Sequence, residues 1–264
     1  MANGNQAPVR VLEGQATLIA RTTHDLAVDP IHDEIVAPNP FAEAILVFRG
    51  GASGEEAPKR IIQGPKTKLS RNTDNVALDP VHNEIYTVQS RYNAIFVFDR
   101  EAQGDVAPIR IIQGPKTKLN RPSRIAADPV NNLIAVTTTD GVVIFNRTAR
   151  GDAVPRAVIS GPKTGLGSDA RATRVTFYPE GKKIFVAVRG GRSREGMKYG
   201  SVSVWRYEDK GDVAPWAILK TSEVTKLKDP FGGVALNPEA KEVMVMENDH
   251  PAALLVYYLP EVFQ

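Results

Sequence analysis

The chain has 264 residues, 42% hydrophobic and 24% charged, enough to bury a sizeable core. It contains no cysteine, which excludes disulfides, thiolate metal sites and a cysteine nucleophile. The formal net charge is only +3, the N-terminal MANGNQAPVR has neither the charged n-region nor the apolar h-region of a signal peptide, and no stretch approaches the roughly 18 apolar residues of a membrane-spanning helix.

The first strand candidate along the chain is VRVLEG (9–14). Five short apolar runs follow: AILVF (44–48), AIFVF (94–98), GVVIF (141–145), SVSVW (201–205) and ALLVY (253–257). Each comes after a proline that closes a strand, at Pro30, Pro80, Pro129, Pro179 and Pro238, mostly as Asp-Pro. A second set, Pro8, Pro58, Pro108, Pro155 and Pro215, opens another strand. The spacing is near 50 residues and lengthens to about 60 in the fourth interval, and RIIQGPKTKL at 60–69 recurs letter for letter at 110–119.

The second repeat shows what one unit contains. Its strand candidates are NVALD (75–79), EIYTVQ (84–89), AIFVF (94–98) and IRIIQG (109–114), bounded by the turn signals DPVHN, SRYN, DREAQGDVAP and GPKTKL. The connections leave no room for crossover helices, so neighbouring strands run antiparallel. Four antiparallel strands per unit, repeated five times, predict an all-β, five-bladed β-propeller occupying 1–264 as one domain. The last unit offers VALNP (234–238), EVMVMEN (242–248) and ALLVYY (253–258) but no fourth strand. VRVLEG aligns with IRIIQG, so the N-terminal strand is expected to complete the last blade and cover its edge.

The wording GDVAPIRIIQGPKTKLNRPSRIAADPVNNLIAV (104–136), with its copies, resembles the NHL-type repeats of bacterial propeller proteins. The resemblance covers essentially the whole chain. It implies a fold more than a function, since such propellers serve as RNA binders, protein-interaction platforms, sensor domains, lyases and lactonases. NHL propellers are commonly six-bladed, and five copies depart from that.

Propeller geometry sorts the loops into two ends. One, the top, is assigned the connections between blades and the loops after each second strand; the other is assigned the Asp-Pro turns and the GDVAP-type loops. On that assignment the top nets about +8 and the bottom about −10. The longest departure from the repeat, RGGRSREGMKYGS (189–201), is also a top loop and is rich in basic residues. Arg124, Arg174, Arg189, Arg192, Arg194, Lys198 and Tyr199 are therefore the candidate ligand-binding residues. The function expected is a non-enzymatic binding or interaction scaffold. Its partner would be a protein or an anionic ligand such as an acidic glycan or another polyanion. Nucleic acid is less favoured, because the top offers few aromatics for base stacking: Tyr92, Tyr199, Phe41 and Phe231.

The alternative is a metal-dependent hydrolase or lyase, lactonase-like, at the mouth of the central channel. His24 and Asp25 precede one inner strand, and ENDHP (247–251) supplies Glu247 and His250. Imidazole and carboxylate together suit Zn, Mn or Mg and activate water. Gluconolactonase-like and streptogramin-lyase-like propellers place metals there, but none of their motifs is matched residue by residue, so no catalytic residue is assigned. His32 and His82, in DPIHDE and DPVHNE, read as turn residues. The scaffold reading requires no cofactor.

Overall fold

Each repeat folds where its turn signals place it. The computed structural model describes residues 7–167, 170–190, 192–193, 196–197, 200–220, 233–247 and 253–264. The first sheet holds β1 (Ala27–Asp29), β2 (Glu34–Asn39), β3 (Ala44–Arg49) and β4 (Arg60–Gln63). The second holds β5 (Ala77–Asp79), β6 (Glu84–Gln89), β7 (Ala94–Asp99) and β8 (Arg110–Gln113). The third holds β9 (Arg124–Asp128), β10 (Leu133–Thr137), β11 (Gly141–Asn146) and β12 (Ala157–Ser160). In the fourth, β13 (Ala170–Tyr178) and β14 (Lys183–Gly190) are followed by a small hairpin, β15 (Arg192–Ser193) and β16 (Gly196–Met197), before β17 (Ser201–Arg206) and β18 (Ala217–Lys220). The fifth holds β19 (Gly233–Asn237), β20 (Glu242–Glu247) and β21 (Ala253–Tyr258). Strand order follows chain order in every sheet, as in the blades of a five-bladed β-propeller.

The third strands β3, β7, β11 and β17 are buried at every position but the last. Such continuous burial needs cover on both faces of the sheet, which is why their sequences are unbroken apolar runs. The residues cluster into two compact units. One is Met1–Tyr86 with Val97–Ile109, the other Thr87–Phe96 with Arg110–Gln264. The largest apolar cluster of the second unit gathers Leu133, Ile144, Ile159, Phe177, Ile184 and Trp205.

Residues 9–14 take the place of an outer strand through one bridge. Among the described residues the fifth sheet has three strands, and 9–14 form none. Leu12 instead makes a parallel bridge to Gly54. Ile62, Ile112 and Ile159, on β4, β8 and β12, make the same bridge to Gly104, Gly151 and Gly211. Residues 9–14 thus keep the sideways contact of an outer strand but not its antiparallel ladder, and the residues of β21 alternate between half-buried and exposed.

The turns explain much of the repeat. Asp29 Oδ1 accepts the backbone N–H groups of Ile31 and His32, and its Oδ2 lies 2.8 Å from His32 Nδ1. Asp79 and His82 repeat this arrangement. Asp128 holds Asn131 and accepts the Tyr207 hydroxyl at 2.5 Å. These carboxylates are at most 1% exposed, so they fold the turn and present little acidic surface. The GDVAP aspartates leave the end assigned to them: Asp105, Asp152 and Asp212 accept the backbone N–H of Lys66, Lys116 and Lys163 in the GPKT turns. The acidic lower end drawn from sequence is overstated for both reasons.

Candidate functional site

The basic candidates that the structure describes lie in the second unit: Arg124 and Arg174 on the inner strands of the third and fourth sheets, Arg189 on β14 and Arg192 on β15. Arg124 opens β9, where it pairs in register with Thr137 and donates from Nη1 to Ser123 O at 2.9 Å. Arg174 lies on β13 opposite Ala187, just past a bulge between Ala172 and Arg174. β9 and β13 pack side by side. The fourth repeat is longer because residues 191–200, with the β15–β16 hairpin, are inserted before β17, and because β13 and β14 run on beyond this bulge as a two-stranded ribbon, pairing Ala170–Ala172 with Val188–Gly190.

That extension sets two arginines against each other. Arg171 is directly opposite Arg189 in the antiparallel register. Directly opposed residues project from the same face with Cβ atoms about 4.5–5.5 Å apart, and like charges there repel. Arg171 is exposed and Arg189 half-buried. Arg192 lies in β15 opposite Met197. Arg194, Lys198 and Tyr199 lie outside the described residues.

The metal candidates are not described as one group. Nδ1 of the exposed His24 lies 3.8 Å from Oδ2 of the half-buried Asp74. Asp25 Oδ1 accepts the N–H of Leu26 at 3.0 Å. Glu247 ends β20 and is 4% exposed, and its charge, after burial, helps push the Tyr257 phenol above its ordinary pKa. His250 lies outside the described residues. Among those described, no three His, Asp or Glu side chains are grouped to hold a metal ion.

Sequence reasoning missed a cleft of about 710 Å³ in the second unit. Its floor is Val143 on β11 and Val158 on β12, and its rim includes Tyr92, Gln113, Lys118, Asn120 and Asp140. A cleft of about 510 Å³ lies at the equivalent place in the first repeat, behind a hairpin of ordinary length, so hairpin length is not what opens it. Gly141 adds no side chain to the cleft of the third sheet. At φ 150° it lies in the region that favours glycine, and a Cβ there would meet Ile159 O at 2.0 Å.

The chain matches no protein-family model and no curated protein in sequence. Solved structures do resemble it. A Kuenenia stuttgartiensis hydrazine synthase is similar at 11% identity and a TM-score of 0.59, over 95% of this chain and 68% of that one. The Cps50 (Swd1) β-propeller domain of Myceliophteria thermophila is similar at 11% identity and a TM-score of 0.59, over 86% of this chain and 62% of that one. A putative 6-phosphogluconolactonase from Bacteroides uniformis is similar at 15% identity and a TM-score of 0.59, over 89% of this chain and 66% of that one. At such identities the likeness speaks to architecture alone, and it agrees with the sheet order: the chain is a β-propeller.

Proposed function

We propose that the protein is a non-enzymatic binding module, an NHL-like propeller that holds an anionic partner on the arginines of its third and fourth sheets. The observation that carries this reading is the opposition of Arg171 and Arg189 across the β13–β14 ribbon, with Arg171 exposed and Arg189 half-buried. An anion bridging two guanidiniums held in register gains two charge-assisted contacts. Arg174, just past the bulge, and Arg124, on the neighbouring β9, add charge along the packed strands β9 and β13. Carboxylated or sulfated glycans and acidic protein segments carry groups of the right shape.

The test is binding of a fluorescent heparin-derived hexasaccharide, followed by anisotropy. The Arg171→Ala/Arg189→Ala double variant is expected to bind at least about tenfold more weakly. The single Arg171→Ala variant is expected to keep its Tm, because Arg171 is an exposed surface residue. Affinity unchanged in the double variant would overturn the reading.

The competing reading, a metal-dependent hydrolase, draws on the His24–Asp74 pair. The likeness to a putative 6-phosphogluconolactonase makes a lactone the substrate to try first. Metal content of the purified protein separates the readings. Stoichiometric metal lost in His24→Ala would favour hydrolysis over binding alone.

A further inference from the structure

The cleft on the third sheet is separate in its chemistry from the arginine ribbon. Its volume of about 710 Å³ falls within the range of small-molecule sites. It carries one ammonium, Lys118, and one carboxylate, Asp140, so its own charge sums to zero. Its amides are held in place. Gln113 Nε2 donates to Tyr92 O at 2.9 Å, Asn120 Nδ2 donates to Asp140 Oδ2 at 2.8 Å, and Asn93 Oδ1 accepts the Arg121 N–H at 2.8 Å. These bonds leave Gln113 Oε1, Asn120 Oδ1 and Asp140 Oδ1 as oriented acceptors, with Asn93 Nδ2 and Lys118 Nζ as donors. Beneath them lie Val143 and Val158, and beside them Tyr92, which is 42% exposed and stacked on Phe96 at 6.5 Å.

We infer that this cleft binds a neutral saccharide of one or two residues. Each sugar hydroxyl both donates and accepts, which suits a rim of fixed acceptors interleaved with donors. The C–H face of a pyranose ring is apolar and suits an aromatic side chain and a valine floor. A phosphate or carboxylate ligand would meet Asp140, and a wholly apolar ligand would strip water from the polar rim without replacing its hydrogen bonds. Fixed amides lower the ordering cost of binding.

The experiment titrates the full chain with glucose, galactose, N-acetylglucosamine, cellobiose, lactose and chitobiose, using saturation-transfer NMR and calorimetry. At least one sugar is expected to bind saturably, with a Kd of about 1 mM or tighter. Tyr92→Ala and Asp140→Ala should each weaken it about tenfold or more, and Lys163→Ala, on the GPKT turn after β12, should leave it unchanged. Failure of all six sugars to saturate at about 50 mM overturns the inference. So does binding that survives both point substitutions within about twofold. Neither result bears on the arginine ribbon, whose probe is polyanionic and whose variants leave the cleft intact.

Discussion

Glu34 shows what a single residue in a repeat can do beyond its copy number. Its carboxylate, 1% exposed, accepts from Lys59 Nζ at 2.8 Å, from both terminal nitrogens of Arg60 at 2.8 Å, and from Arg100 Nη1 at 3.0 Å. Burial alone would raise its pKa. The three cations overcome that and hold the carboxyl at about 2, against an ordinary value of 4.5. Its folded pKa is depressed, so its stabilisation is complete above about pH 4.5 and is lost as the pH falls towards 2. The difference corresponds to about 3 kcal/mol. Glu34→Gln should therefore flatten the fall of Tm on acidification through that window. At neutral pH it should lower stability by about 3–5 kcal/mol, because Arg60 and Arg100 remain in a site built for an anion. Parallel Tm-against-pH curves for the two proteins would show that Glu34 is not the titrating group.

At the scale of the element, the GPKT turn shows why the chain repeats RIIQGPKTKL. Thr117 is 1% exposed; its hydroxyl donates to Gly114 O at 2.6 Å and accepts the Leu119 N–H at 3.3 Å. Thr67 and Thr164 do the same in their own turns. Gly114 sits at φ 142°, where a Cβ would meet the side chain of Asp152, the residue that caps the turn. Lys116 contributes its backbone N–H to that cap while its side chain stays exposed. The lettering is thus kept by the threonine, the glycine and the capping aspartate. Thr117→Ala should cost about 2 kcal/mol by leaving buried partners unpaired, whereas Lys116→Ala should stay within about 0.5 kcal/mol. Equal losses of Tm in the two variants would reverse that division. The sheets were legible because strand, turn and proline recur together. The aspartate caps were not, because Asp105 and Lys66 are 39 positions apart and pair only once the strands are laid down.

At the scale of the whole chain, a net charge of +3 conceals a local arrangement that pattern alone read only in part. The bias towards lysine and arginine after the second strands was visible in the sequence. The register that puts Arg171 opposite Arg189 was not, because it follows from a bulge that only the paired strands reveal. The cleft was missed for a related reason: its walls come from two successive repeats, Tyr92 and Gln113 from one and Asp140, Val143 and Val158 from the next, which meet only in the fold. If binding depends on a local set of four arginines, Arg124, Arg171, Arg174 and Arg189, salt should report it where net charge would not. Four contacts to an anionic chain release about four counterions, so log affinity should fall with log salt at a slope of about −3 to −4. Between about 50 and 200 mM salt that is roughly a hundredfold loss. Each arginine replaced should reduce the slope by about one, and the surviving affinity should become less sensitive to salt as it weakens. A slope near zero, or one unmoved by Arg171→Ala, would mean that the partner is held by something other than this charge.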